Sequence, residues 1–436
     1  MLDTKSTRLK RLVGENLWIL AGSAIAIIGS LGLVRLLTEY LTPTQYGELA
    51  LALTVANLIN QVVMCGLISG IGRFYSIAKE HQALHAYRHE SYLLLARATI
   101  AIVSIGLSLV LLAYFSSQTN WITLIVVTIL FATISSYNSV FSDVQNAARN
   151  RSIAAANNSL DTLLKILLSF LALYFFAVSA TTVMLAYAFA GVAVLSTNHL
   201  SLKYAIPPTA AQTNTSDPKS DVWKTQIWSY AWPFSVWGLF TWGQQASDRW
   251  ALQLFSSTNE VGVFAVLFQL GYAPVLMMSG IFSGFLTPIF FQRAGDATNN
   301  GRNLSVHRIN WLVSSSLLSI TVLGFIASWL SHRYIFAIFV SADYREYSYL
   351  LPWFVLSGGL FATGQMFVLK ILSEIRSRQL IVIKIGTALI GICLNILGAW
   401  LGSLTGIVIA MVGFSSVYML WMAWLSRYPF VSLLER

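Results

Sequence analysis

The sequence predicts an all-α membrane protein: about twelve transmembrane helices in two six-helix lobes, related as parallel repeats around a central cavity. Three observations predict it. The chain is 56% hydrophobic and only 10% charged over 436 residues, with a mean hydropathy of +0.67, whereas soluble domains carry about 25% charge. Apolar runs long enough to cross a bilayer recur from end to end. The stretch from Leu33 to Tyr75 returns about 214 residues later.

The repeat is read residue by residue. Arg35 matches Arg249, Met64 matches Met278 and Ser69 matches Ser283. The turn Thr42-Pro43-Thr44-Gln45-Tyr46-Gly47 matches Ser257-Thr258-Asn259-Glu260-Val261-Gly262 with one residue of slippage, and Gly66/Gly70 matches Gly280/Gly284. Apolar composition alone does not account for an arginine at the same place in both copies.

In chain order the expected spans are roughly 15–38, 47–71, 92–115, 121–144, 160–178, 182–202, 227–247, 261–291, 309–330, 351–371, 381–401 and 405–426. The first follows Lys5, Arg8, Lys10 and Arg11 and exceeds a signal-peptide core, so it is expected to stay as a membrane helix. The eighth carries Pro274 and Pro288 and is expected to kink. Ser179-Ala180-Thr181 and a Gly-Ser pair make tight hairpins. Residues 203–226 hold Pro207, Pro208, Pro218 and a Thr/Asn/Ser run, which is linker composition. The expected division is therefore an N-terminal lobe 1–202, a cytoplasmic linker 203–226 and a C-terminal lobe 227–436.

Charge placement orients the chain. With a cytoplasmic N-terminus, only Arg249, Arg333 and Arg345 of the 27 Lys and Arg residues fall outside, and Arg35, Arg97, Lys165 and Lys384 fall within spans. That bias puts both termini in the cytoplasm. The basic residues are scattered between apolar runs, so nucleic acid is not an expected partner. Cys65 and Cys393 sit in apolar runs and form no metal or disulfide pattern. No P-loop, nucleotide fingerprint or large catalytic loop is present, so the chain does not read as an enzyme or an ATP-driven pump. The largest external loop, Ser331 to Leu350, includes Tyr344-Arg345-Glu346.

Arg35 and Arg249, one per half, are the leading candidates for binding substrate. A guanidinium grips phosphate or carboxylate bidentately. Each has an acid beside it, Glu39 and Asp248, so pairing and snorkelling to the interface is the competing reading. Asn57, Asn60 and Gln61 fall on one helical face; Asn138 lies on another with Ser135, Ser142 and Asn146; Gln244 and Gln245 sit in span seven. These amides face either substrate or one another. Trp232 and Trp242 are candidates for sugar or lipid contact, while Trp223 and Trp250 read as interface-belt residues. His81, His85 and His89 read as a solvated basic face, the glycine pairs as helix packing, and Asp161 with Lys165 as an ion pair. Asp143 and Asp161 are the acids that could relay a coupling cation.

The runs RLLTEYLTPTQYGELALALTV, DRWALQLFSSTNEVGVFAV and FVSADYREYSYLLPWFVLSGGLF resemble the O-antigen-type oligosaccharide flippases (Wzx type) of the multidrug/oligosaccharidyl-lipid/polysaccharide (MOP) exporter superfamily. The resemblance covers nearly the whole chain. It implies a bacterial inner-membrane exporter that moves an undecaprenyl-diphosphate-linked oligosaccharide to the periplasmic leaflet by alternating access, for O-antigen, capsule or exopolysaccharide. The implied partners are that lipid-linked oligosaccharide, inner-membrane lipids and other polysaccharide-assembly membrane proteins. No cofactor is expected apart from a coupling cation, H+ or Na+. Two other readings stay open: a cation-coupled drug antiporter of the same superfamily, which would prefer acids to arginines in its cavity, and a membrane polymerase or ligase, which would need a catalytic loop.

Overall fold

The computed structural model describes residues 22, 24–148, 150–205, 220–295, 299–374 and 377–427. Lys5, Arg8, Lys10, Arg11 and residues 206–219 of the Pro-rich linker, with its three prolines, lie outside them; 203–205 end one helix and 220–226 begin another. Among the described residues every regular element is helical. They run as α1 (24–40), α2 (Pro43–Ile59), α3 (Cys65–Glu80), α4 (Leu84–Phe115), α5 (Ile122–Ala147), α6 (Arg151–Phe175), α7 (Ala180–Ala205), α8 (Ser220–Phe255), α9 (Thr258–Leu267), α10 (Ala273–Ala294), α11 (Asn300–Phe339), α12 (Leu351–Ser373) and α13 (Ser377–Leu425).

Nine helical stretches of the described residues are long and apolar enough to cross a membrane. One of them, Ile383–Leu425, is two helices joined at a break where Ser403 adopts φ 48°. That break is the expected Gly-Ser hairpin. Helices α1 and α8 are not among the nine. With its apolar helices exposing Ile100, Leu107, Leu112, Ile320 and Ile409, the chain is a multi-pass membrane protein.

Two π turns interrupt the long helices. Asn60–Met64 joins α2 to α3, and Phe268–Tyr272 joins α9 to α10. The second lies directly before Pro274, which opens α10. A proline has no N–H to return to the preceding turn, so the widened turn absorbs the break expected there.

The described residues divide into two compact units. The first takes residues 1–29 and Leu49–Trp242; the second takes Ser30–Glu48 and Gly243–Arg436. Helix α1 changes unit after Gly29 and helix α8 after Trp242.

In the first unit, α5 packs on α3, α4 and α7, and α6 packs on α7. The early part of α8 lies against α3. A Cβ on Gly66 would overlap the Ala231 carbonyl, and one on Gly70 would come within 3.2 Å of Ile227. This glycine pair is a close helix contact, as expected. Trp223 is a correction: it is 8% exposed and packs edge-on against Tyr87, so it is core rather than interface belt.

In the second unit, α12 is central, touching α10, α11 and α13. Phe361 stacks on Tyr418 at 4.8 Å, and Phe264 meets Phe354 at 5.3 Å. Three expectations need correcting here. Gly280 and Gly284 have open space where a Cβ would stand, so the second glycine pair is not a packing contact among the described residues. Residues Ala342–Leu350 are a 3-10 helix with Tyr344 wholly buried, where a loop is expected. Lys370, expected at the cytoplasmic end of its span, is wholly buried beside Glu374 rather than exposed to solvent.

Candidate functional site

The polar positions sit on the helices that carry the repeat, so their geometry begins with how those helices start. Thr42 and Gln45 cap α2 reciprocally: the Thr42 N–H donates to Gln45 Oε1 at 3.1 Å, and the Gln45 N–H donates to Thr42 Oγ1 at 3.4 Å. Pro43 takes the first helical position, where its missing N–H costs nothing. Ser257 caps α9 through the Glu260 N–H at 3.3 Å. What reads as a polar turn in sequence is thus the cap and first turn of a helix. The signal, Ser/Thr followed three residues later by Gln/Glu, is present in both copies. Glu260 then reaches further and accepts the Leu404 N–H at 2.9 Å, capping the helix that leaves the α13 break.

Arg35 and Arg249 both fall in the second compact unit, because Ser30–Glu48 belongs to it. Their surroundings differ. Arg249 donates to Asp248 at 3.2 Å and to the Gln245 carbonyl at 3.1 Å. Its guanidinium lies 4.8 Å over the Phe268 ring and 5.3 Å from that of Phe264. Phe264 and Phe268 stand four residues apart and share a helical face. Both members of the ion pair are largely buried, at 13% and 7% exposure. Arg35 pairs with Glu39 at 2.8 Å on a more open surface, at 40% and 55% exposure. Its second terminal nitrogen, Nη1, is buried with no hydrogen-bond partner. Arg249 thus has Nη1 engaged by protein groups and two rings beside its guanidinium, while Arg35 has an Nη1 without a partner among the described residues.

The amides also separate. Asn57 is exposed, and Asn60 and Gln61 are half-buried. The π turn starting at Asn60 widens the helix, so the simple i, i+3, i+4 face does not continue past it. Asn138 is tied into a ladder: its Nδ2 donates to the Gly191 carbonyl at 2.8 Å, and its Oδ1 accepts from Asn198 at 3.0 Å. Asn198 Oδ1 accepts in turn from Gln145 at 3.1 Å and Asn157 at 2.6 Å. Sequence reasoning missed Gln145, Asn157 and Asn198, although Asn198 is the one amide in α7. Gln244 is half-buried beside Gly391, while Gln245 is exposed. Trp242 donates to the Thr54 carbonyl at 2.8 Å, which uses its one polar atom, and Trp232 is 53% exposed.

His81, His85 and His89 are all exposed, but the helix breaks between the first two: α3 ends at Glu80 and Gln82 turns with φ 55°. Among the described residues no group of three or more His, Cys, Asp or Glu could hold a metal ion. Asp161 and Lys165 form the expected ion pair at 2.5 Å.

The profile of the family described as polysaccharide biosynthesis protein matches residues 13–293. No curated protein matches the sequence. Among solved structures, the chain is similar to an inward-facing multidrug resistance MATE family transporter of the MOP superfamily, with 13% identity, coverage of 94% of this chain and 98% of that one, and a TM-score of 0.64. It is similar to the lipid II flippase MurJ in an inward closed conformation, with 11% identity, 95% and 88% coverage, and a TM-score of 0.64. An outward-facing MATE family transporter follows, with 16% identity, 95% coverage of both chains and a TM-score of 0.56. At these identities the likeness is one of fold. The chain belongs to the polysaccharide biosynthesis protein family and has the MOP-superfamily transporter fold.

Proposed function

We propose that this protein is a flippase that moves an undecaprenyl-diphosphate-linked oligosaccharide from the cytoplasmic to the periplasmic leaflet of a bacterial inner membrane. One observation carries the reading: a chain of the polysaccharide biosynthesis family has a fold that a lipid II flippase also has, over 95% of its length. A multidrug transporter has that fold too, but the family match weighs toward a glycan cargo. An enzyme acting on such glycans is the less favoured alternative.

In this reading the repeats divide at the linker 203–226, both termini are cytoplasmic, and the cycle is driven by H+ or Na+. Arg35 is the residue to engage the diphosphate. Its side chain is 40% exposed, so the guanidinium can exchange Glu39 for an anionic oxygen. Arg249 and Asp248 shape the same end of the unit. Asn57, Asn60, Gln61, Gln244 and Gln245 are the amides still able to meet sugar hydroxyls, with Trp232 facing lipid.

The test is export in a bacterial strain deleted for its own flippase. Surface glycan should return with the wild-type chain. Arg35→Ala, inserted at normal level, should lose it, while Arg35→Lys should keep part, because a charge-assisted contact is worth about 1.5–3 kcal/mol, roughly ten- to a hundredfold in affinity. Full glycan from Arg35→Ala would remove Arg35 from the site. Failure of the wild-type chain with every lipid-linked glycan offered would remove the flippase reading.

A further inference from the structure

In the first compact unit α2 and α8 are held together at two points. A Cβ on Gly238 would overlap the Gln61 carbonyl. One helical turn further along α8, Trp242 donates Nε1 to the Thr54 carbonyl at 2.8 Å. Its one polar atom is thus spent on backbone, which orients the ring. The ring is half-buried, and no other aromatic ring of the described residues packs on it. Asn57 stands one turn along α2 from Thr54, and Asn60 and Gln61 open the π turn beyond it. All of these residues belong to the same compact unit.

The three amides make no side-chain hydrogen bond among the described residues. In this they differ from Asn138 and Asn198, whose amides bond to each other, the former also to the Gly191 carbonyl. Unpaired amides are costly in hydrocarbon, so Asn57, Asn60 and Gln61 face water or a polar ligand. The seam is also neutral: no Asp, Glu, Lys or Arg lies between Leu49 and Gly72 or between Thr225 and Ser247. A diphosphate would find no cation on either segment. A lipid tail would cover the ring and leave the amides unpaired. A pyranose matches both parts, with an apolar C–H face for the indole and hydroxyls for the amides.

We propose that the seam of α2 and α8 is a subsite for one neutral pyranose of the cargo: Trp242 stacks on its apolar face, and Asn57, Asn60 and Gln61 pair with its hydroxyls. This rests on the glycan reading, and names which part of the cargo the first unit recognises.

The test uses the full chain, labelled with fluorotryptophan, in lipid nanodiscs that hold no glycan. The fluorine NMR signals of Trp242 and Trp250 are assigned by their loss in Trp242→Phe and Trp250→Phe. The probes are the methyl pyranosides of glucose, galactose and N-acetylglucosamine. At least one should move the Trp242 signal saturably and leave that of Trp250 in place. Asn57→Ala, which trims an exposed side chain, should weaken that binding about fivefold, as loss of one hydrogen bond does. Mannitol, which has hydroxyls without a ring face, and farnesol, which is apolar, should not move the signal. No movement with any pyranoside overturns the subsite. So does equal movement with mannitol, or with farnesol, which would mark a lipid surface. Unchanged affinity in both Asn57→Ala and Gln61→Ala overturns it as well. The assay needs no transport. Pyranoside binding beside failed export therefore counts against the flippase reading alone, and export without pyranoside binding counts against the subsite alone.

Discussion

Arg249 lies with its guanidinium 4.8 Å over the ring of Phe268, held there by Asp248 and the Gln245 carbonyl, and so differs from the arginine that matches it in the repeat. A cation over an aromatic face gains about 0.5–2 kcal/mol, most where water is excluded. The adjacent carboxylate, 7% exposed, depends on that cation.

The first prediction follows from this asymmetry. Arg249→Ala should lower the amount of protein in the membrane, since breaking a buried pair from one side costs about 3–5 kcal/mol. Asp248→Ala added to it should restore much of the level. Arg35→Ala should leave the level unchanged, because its pair with Glu39 is exposed and worth about 0–1 kcal/mol. Membrane blots beside surface-glycan assays separate the two. Equal loss of protein in both single variants would count against the distinction.

The second concerns Lys370. Its ammonium donates to the Ser426 carbonyl at 2.6 Å and sits 3.4 Å from Glu374, and both side chains are buried. Trp311 donates to the same carbonyl at 3.3 Å, so the end of α13 is pinned by two donors from α11 and α12. Lys370→Met should lower the thermal midpoint of the purified protein markedly, and Lys370→Met with Glu374→Gln should recover part of the loss. A single variant that melts like wild type would show the pair to be dispensable.

Much of the fold was legible because lipid imposes few solutions. Hydrophobic length, the Pro274 break, the Gly-Ser hairpin and the Lys165 ion pair all follow from local chemistry. The site was less legible, because what distinguishes Arg35 from Arg249 is tertiary. The spacing of Phe264 and Phe268 puts both rings on one helical face, but nothing in it says that the face will meet Arg249, since that depends on how α8 packs. Lys370 reads as cytoplasmic by its place at a helix end, and only the packing of α11, α12 and α13 encloses it. The caps at Thr42 and Ser257 could have been found from their Ser/Thr-x-x-Gln/Glu pattern alone.

The third prediction tests the amide ladder. Asn198 serves Asn138, Gln145 and Asn157 at once. Asn198→Leu leaves three amides short of a partner inside the bundle, whereas Ser201→Ala removes only a hydroxyl bonded to the Thr197 carbonyl of its own helix. Interhelical hydrogen bonds in membranes average about 0.6 kcal/mol each, so Asn198→Leu should destabilise the protein by about 2 kcal/mol and Ser201→Ala by much less. Thermal unfolding in detergent measures both. Equal effects would mean the ladder contributes no more than an isolated hydroxyl.

The last prediction uses the two glycine pairs that the repeat equates. Gly66 lies against the Ala231 backbone, with Ser235 Oγ 3.0 Å from where a Cβ would stand. Backbone cannot move aside as a flexible side chain can, so Gly66→Val must push α3 and α8 apart. Overpacking of this kind typically costs about 1–3 kcal/mol. The cost should appear as lower membrane level and a lower thermal midpoint. Gly280 occupies the matching place in α10, yet open space lies where its Cβ would stand. Gly280→Val should therefore keep level and midpoint, gaining slightly from the better helix propensity of a residue other than glycine. Its effect on glycan export then becomes informative, because a loss at normal abundance means that the open space beside Gly280 is used during transport. If Gly280→Val destabilised the protein as much as Gly66→Val, the two positions would be equally packed and the asymmetry between the repeats would be refuted.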